Sequence, residues 1–246
     1  MTGFEFRSVS KDYGAHSVLT DISFSVRPRE HVAILGASGC GKSTILRLLA
    51  GLDTPTSGTV LFDERSASEM NRIIIPPHRR GISMLFQDLA LWPNLSVLDN
   101  VLMGLSGLNI SKKDARSRAR RVLELCSIDR LANKKPERIS GGEQQRAALA
   151  RALAPEPDYL LLDEPFSCLD LVTKSTLLED IRQLASERDI TIVLVSHDPI
   201  EATTLCRRAI AVDDGRIAEL GEWSDLLRKP RSKVLELFRD HLNRSG

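Results

Sequence analysis

The sequence predicts an α/β fold: a largely parallel sheet covered by helices, with an antiparallel β flank and an inserted helical block. Three observations predict it. Short runs rich in Val, Ile and Leu alternate with helix-period segments, as strands buried between helices do. A glycine-rich stretch, GASGCGKST, joins one such run to the helix after it. The strand pattern then disappears between Gln87 and about Pro155 and resumes beyond it.

Phe4 to Val9 and Leu19 to Val26 alternate like half-exposed strands, and with Gly58 to Phe62 they are expected to form the antiparallel flank. The core strands are expected at His31 to Gly36, Gly81 to Phe86, Tyr159 to Asp163 and Ile190 to Val195. Between them, Ser96 to Leu105, Ser111 to Cys126 and Gly142 to Leu153 carry helical spacing. After Val195 come a helix from Pro199 to Cys206, a hairpin turning at Asp213, Asp214 and Gly215, and a Leu-rich amphipathic helix near Val234 to Leu242. The pattern suits one domain over 1–246: 1–86 and 156–221 as core and flank, 87–155 as helical subdomain, 222–246 as C-terminal helices. No internal repeat or low-complexity tract interrupts it.

A chain of 246 residues, 27% charged and 42% hydrophobic, is globular rather than disordered. Lys and Arg number 34 against 33 Asp and Glu, so a net charge of +1 offers nothing global to a polyanion, and no nucleic-acid partner is expected. The basic run Lys112, Lys113, Arg116, Arg118, Arg120 and Arg121 reads as a solvated helix face. Cys40, Cys126, Cys168 and Cys206 form no C-x-x-C pair, and the histidines lack metal-ligand spacing, which suits reduced thiols in a cytosolic protein. The N-terminus lacks an apolar signal core, and no apolar run approaches the ~20 residues of a membrane helix. Any membrane role must be borrowed from a partner.

Gly36-x-x-x-x-Gly41-Lys42-Ser43 follows a strand and opens a helix, the context that a phosphate-binding P-loop requires. Its glycines let successive N–H groups from Gly39 to Thr44 converge on phosphate oxygens, with the positive end of the helix behind them, and the binding loop comprises Gly36, Ala37, Ser38, Gly39, Cys40, Gly41, Lys42, Ser43 and Thr44. Lys42 supplies a point charge to the β- and γ-phosphates, and Ser43 a hydroxyl for Mg2+. Cys40 is a small spacer contributing its backbone. The run Tyr159-Leu160-Leu161-Leu162-Asp163-Glu164 delivers two carboxylates at the C-terminal end of a buried strand, where ligands of open α/β sheets collect. Asp163 is placed to reach Mg2+ through water, and Glu164 to act as general base or water-orienting group at the γ-phosphate.

Ser140, Gly141 and Gly142 open another helix. Locally they read as an N-cap, with Glu143 three residues on completing a capping box. A glycine pair adds entropic cost to a plain cap, so it also reads as a second anion site that something approaches closely.

These motifs, in this order, resemble those of the ATP-binding subunits of ABC transporters. GASGCGKST resembles that family's Walker A, YLLLDE its Walker B and ISGGE its LSGGQ signature. Tyr13 is similar to the aromatic that stacks on adenine, Gln87 in LFQD to the Q-loop glutamine that joins Mg2+, Ser167-Cys168-Leu169-Asp170 to the D-loop, and His197 in VSHD to the switch histidine. Ile139 and Glu143 stand where the family name has Leu and Gln, and Cys168 where Ala is frequent; the Ser-Gly-Gly core, Glu164 and His197 are intact.

The resemblance implies a P-loop NTPase (RecA-like) core with an antiparallel β flank and an inserted α-helical subdomain. It implies ATP and Mg2+ as cofactors, Glu164, His197 and Lys42 as catalytic residues, and a head-to-tail dimer with a second copy or a homologous ATPase. In that dimer Ser140, Gly141 and Gly142 meet ATP held by the other copy, and Asp170 lies nearby. LFQDLALWPNLSVLDNV, PPHRRGISMLFQD and VSHDPIEA further resemble bacterial importers of small solutes or ions. Leu89, Leu91, Trp92, Pro93 and Leu95 would then form an apolar groove for a helix of an integral membrane permease, itself served by a solute-binding protein. The expected location is the cytoplasmic face of the membrane. Many such relatives carry a C-terminal regulatory domain, and this chain leaves room for a helix or two. An exporter or lipid-extracting complex, or a non-transport ABC ATPase acting on DNA or ribosomes, stays open beside the importer; the absent coiled-coil insertion, the single cassette and the near-neutral charge weigh against the last. Ser196-His197-Asp198 does not suit a nucleophilic triad, because adjacent residues at a strand end point apart.

Overall fold

The computed structural model describes residues 3–245. In chain order they form β1 (Phe4–Tyr13), β2 (His16–Val26), β3 (Val32–Leu35), α1 (Lys42–Ala50), β4 (Ser57–Phe62), β5 (Arg65–Glu69), β6 (Arg72–Ile73) and β7 (Ile82–Leu85). Then come α2 (Val97–Gly104), α3 (Lys112–Leu125), α4 (Gly141–Leu153), β8 (Tyr159–Asp163), α5 (Leu171–Glu187), β9 (Thr191–Val195), α6 (Pro199–Leu205), β10 (Arg208–Asp213), β11 (Arg216–Glu222), α7 (Trp223–Leu226) and α8 (Lys233–Ser245). The chain divides into two units, 1–82 with 191–246 and 83–190.

In the first unit, alternation in β1 buries Phe4, Phe6 and Val9, and the Phe6 ring stacks on Phe24 of β2 with centroids 4.8 Å apart. The strand runs four residues beyond the expected Val9, because a bulge between Phe6 and Val9, with Ser8 at φ 47°, restores the inward register that buries Lys11. The flank has the order β2-β1-β4-β5-β6, and its β1–β2 and β1–β4 pairs are antiparallel as expected. β5 and β6 were not anticipated; their Arg, Ser and Glu residues carry little strand signal. Strands β11-β10-β3-β9 lie in that order, with β3 parallel to both β10 and β9. All four residues of β3 are buried, so its run is continuously apolar.

Helix α1 stops at Gly51, left-handed at φ 73°. Beyond that end lies the buried guanidinium of Arg80, which donates to the carbonyls of Leu48, Leu49, Ala67 and Ile75 and to Ser68 Oγ. Burial pulls its pKa down to about 10. The hairpin β10–β11 turns at Asp214 and Gly215, both at positive φ. Trp223 donates its indole N–H to the Cys206 carbonyl at 2.7 Å and stacks on Phe238 of α8.

In the second unit, α2, α3 and α5 begin at side-chain caps: Ser96 accepts from Asp99 N–H, Ser111 from Asp114 N–H and Asp170 from Thr173 N–H. Helix α3 buries Ala119, Val122 and Leu123 while Lys112, Lys113, Arg116, Arg120 and Arg121 are exposed, a solvated basic face as anticipated. Strand β8 lies beside β7 and is buried along its whole length. Helix α5 was not anticipated. Its first residues, Leu171 and Val172, are apolar yet 75% and 76% exposed, so the buried stripe of Leu177, Leu178, Ile181 and Ala185 starts late.

Candidate nucleotide site

Walker A follows β3 directly. Gly36 has φ 153°, and a Cβ there would lie 2.3 Å from the Val212 carbonyl oxygen and 2.5 Å from Cys40 Sγ. Gly41, at φ 103°, is the N-cap of α1, which has no side-chain cap, and a Cβ on it would meet Leu19 at 2.5 Å. The first N–H groups of α1 therefore have no side-chain cap, a helix start of the kind that suits an anion. Lys42 Nζ spans the loop, donating to the carbonyls of Gly36 and Ala37 at 2.8 Å each. Burial pushes the Cys40 thiol up against the pull of Lys42, which suits a spacer rather than a reactive thiolate.

His197 belongs to the same unit. With Ser196 it lines a cavity of about 440 Å3 whose walls include Gly36, Ala37, Asp213 and α8 residues Lys233, Leu237 and Phe238. The neighbouring residues do not form a triad: Ser196 Oγ donates to Glu201 at 2.6 Å, and Asp198 caps α6 by accepting from the N–H groups of Ile200 and Glu201. Tyr13, 46% exposed, ends β1, and its phenol is bonded to Asp53.

The remaining predicted residues belong to the second unit. Asp163 ends β8 as a buried carboxylate, and Glu164 follows it at φ 50°, a left-handed conformation that a side-chain-bearing residue adopts only when its surroundings hold it there. What holds it is Gln145, which the sequence did not single out. Its buried amide donates to the Glu164 carbonyl at 3.1 Å and to Ser167 Oγ at 3.4 Å, and its Oε1 accepts from Cys168 N–H at 2.9 Å. One side chain of the signature helix thus fixes both the Walker B turn and the D-loop.

Ser140 caps α4 with the capping box the local sequence predicts: its hydroxyl accepts from Glu143 N–H, and Glu143 accepts from Ser140 N–H at 2.9 Å. That backbone bond leads the interactions holding the Glu143 carboxyl below its ordinary pKa. A Cβ on Gly141 would meet nothing within 4 Å, whereas one on Gly142 would lie 3.1 Å from the Cys168 carbonyl oxygen. Gly142 is explained by packing on the D-loop, and Gly141 faces open space.

Gln87 is exposed at the end of β7. Two residues on, Leu89 and Ala90 are both left-handed, at φ 60° and 45°. Arg151 of α4 grips this kink, donating to the Ala90 carbonyl and, at 2.7 Å, to that of Leu89. Asn100, equally unflagged by the sequence, exchanges bonds with the backbone of Trp92 and leaves that ring 54% exposed.

The family model for the ABC transporter matches residues 19–167. The chain belongs to the ABC transporter family. Among its ABC relatives are the spermidine/putrescine import ATP-binding protein PotA of Roseobacter denitrificans, 40% identical over 95% of this chain and 63% of that protein, and the Fe(3+) ions import ATP-binding protein FbpC of Rhizobium etli, 40% identical over 97% of this chain and 66% of that protein. The chain thus spans just under two thirds of the length of these relatives. The ATP-binding cassette MJ0796, solved as a dimer in a post-hydrolysis state bound to ADP and Pi, matches with a TM-score of 0.82 at 32% identity, over 89% of this chain and 98% of that one. The α/β cassette architecture expected from the sequence is the one these comparisons show.

Among the described residues no group of three or more His, Cys, Asp or Glu is placed to hold a metal ion, so no all-protein cage exists. The residues that the sequence offers as ligands, Ser43, Gln87 and Asp163, would each present an oxygen, one of them a carboxylate. That set fits Mg2+, which pairs few protein ligands with substrate phosphates and water.

Proposed function

We propose that this chain is the ATP-hydrolysing subunit of an importer for a small solute or ion. The observation that carries it is the Walker A loop, whose glycines, bare helix start and bridging Lys42 form an anion cradle. Backbone N–H groups from Gly36 to Thr44 and Lys42 hold the triphosphate, and Tyr13 stacks on the base. Ser43, Gln87 and Asp163 would hold Mg2+, which when bound neutralises charge on the β- and γ-phosphates. Glu164 orients and deprotonates the attacking water while His197 contacts the γ-phosphate. The new bond joins water oxygen to the γ-phosphorus, and the bond to the β-phosphate oxygen of ADP breaks.

Two copies, or this chain and a homologous ATPase, pack head to tail so that Ser140, Gly141, Gly142 and Asp170 of one complete the site of the other. Because the γ-phosphate bridges them, hydrolysis removes the charge that joins them and the dimer opens. The dimeric MJ0796 cassette supports this arrangement. Names of importer ATPases among the relatives support the direction of transport. Polyamine and ferric-ion relatives are equally similar at 40%, in keeping with cargo choice by the permease and its solute-binding protein. No helix among the described residues is long and apolar enough to cross a membrane, so attachment to the cytoplasmic face would run through the groove of Leu89, Leu91, Trp92, Pro93 and Leu95.

Glu164→Gln is the test. ATP binding should persist while turnover falls about 100-fold or more and an ATP-bound dimer accumulates in size-exclusion chromatography. Unimpaired turnover would remove Glu164 from catalysis.

A further inference from the structure

Around Tyr13, two residues outside every motif, Lys11 and Asp53, complete a cluster across 42 residues of sequence. Lys11 is buried, yet its ammonium is fully engaged: it donates to Asp53 Oδ1 at 2.6 Å and to the Thr54 carbonyl at 2.8 Å, and it lies 4.8 Å from the centroid of the Tyr13 ring. The Tyr13 hydroxyl donates to the other Asp53 oxygen, Oδ2. Asp53 is itself fixed, because Oδ1 also accepts from Thr54 N–H at 2.7 Å. Burial pushes the Asp53 carboxyl up, but bonds from Lys11, Tyr13 and Thr54 outweigh it and hold the group ionised below its ordinary range. The loop carrying Asp53 is sewn to the end of β1, with Asp12 N–H donating to Thr56 Oγ1 and Thr56 N–H to the Ser10 carbonyl.

We propose that Lys11 and Asp53 are positioning residues that lock the Tyr13 ring as the platform for the nucleobase. This rests on the reading of Tyr13 as the base-stacking aromatic and deepens it. A tyrosine at a strand end beside a glycine turn has free rotamers, and each one lost only on binding weakens affinity. Here the phenol is tethered at its tip by Asp53. One ring face is taken by the Lys11 ammonium through a cation–π contact, which leaves the opposite face for a base. The tether also ties base recognition to the phosphate site: Asp53 lies two residues past Gly51, which ends the helix whose first residue is Lys42. Phosphate cradle and base platform are thus fixed by the two ends of one helix.

The test compares dissociation constants of ATP and of base-free tripolyphosphate, each with Mg2+, by calorimetry on the full chain. Tyr13→Ala should weaken ATP about ten-fold, the order of one base–aromatic contact, and leave tripolyphosphate unchanged. Tyr13→Phe keeps the ring and deletes only the tether; with Asp53→Asn it should weaken ATP about three-fold, and the double variant should lose no more than either alone. Lys11→Met should follow the same pattern. Tyr13→Phe needs no repacking and so reports even where a Lys11 or Asp53 variant folds poorly. A loss in Tyr13→Ala without one in Tyr13→Phe and Asp53→Asn would overturn the positioning role while sparing the platform. Unchanged ATP affinity in Tyr13→Ala would overturn both. Tighter ATP binding in Asp53→Asn would show that the tether holds the ring away from the base.

Discussion

Two helices of this chain have glycine at their start, and they start differently. Helix α1 begins after Gly41, a left-handed N-cap with no side-chain cap, whereas α4 begins after Ser140 with a complete capping box. At the first, glycine is demanded by backbone angles and by atoms that a Cβ would strike; at the second, Gly141 is demanded by nothing in its own chain. The contrast separates a helix start whose glycine its own chain demands from one that is sound as a helix and still open on its outer side. A partner's ATP facing Gly141 is the occupant the dimer reading supplies.

Substitutions can break or sharpen that contrast. The largest effect is expected for Gly36→Ala, whose new methyl meets Val212 and Cys40: about 3 kcal/mol of strain, read as a roughly 100-fold loss of ATP affinity. Next is Arg80→Met, which strips the last-turn carbonyls of α1 of a charged donor and should cost about 3 kcal/mol in denaturant unfolding without touching α4. Ser140→Ala removes a cap and should cost about 1 kcal/mol. The smallest effect on the fold belongs to Gly141→Ala, within about 1 kcal/mol of neutral because the methyl enters open space. Placed on Glu164→Gln, it should nevertheless abolish ATP-driven dimerisation. Dimers that form as before would show that the open side of Gly141 serves no ligand.

The parts legible in the sequence are those written within a few neighbouring residues. The Gly36 to Thr44 loop, the apolar run ending in Asp163 and Glu164, and the capping box of Ser140 and Glu143 all declare themselves over a span of four to nine positions. Arg80 reaches carbonyls 31 and 32 residues away, Gln145 reaches 19 to 23 and Lys11 reaches 42, and no periodicity encodes such pairings. Buried polar side chains bonded to distant backbone were therefore invisible until the fold brought them together. Helix α5 was missed for another reason: an exposed apolar start, Leu171 and Val172, masks its amphipathic spacing.

Arg151 makes a mechanical part of α4. Its guanidinium holds two successive carbonyls of the left-handed kink at Leu89 and Ala90, and each such charged bond contributes about 1.5–3 kcal/mol. The helix is 13 residues long, a rod of about 20 Å, with Ser140 at one tip and this grip near the other. A displacement of the kink must therefore either break both bonds or move with it the helix that Ser140 caps.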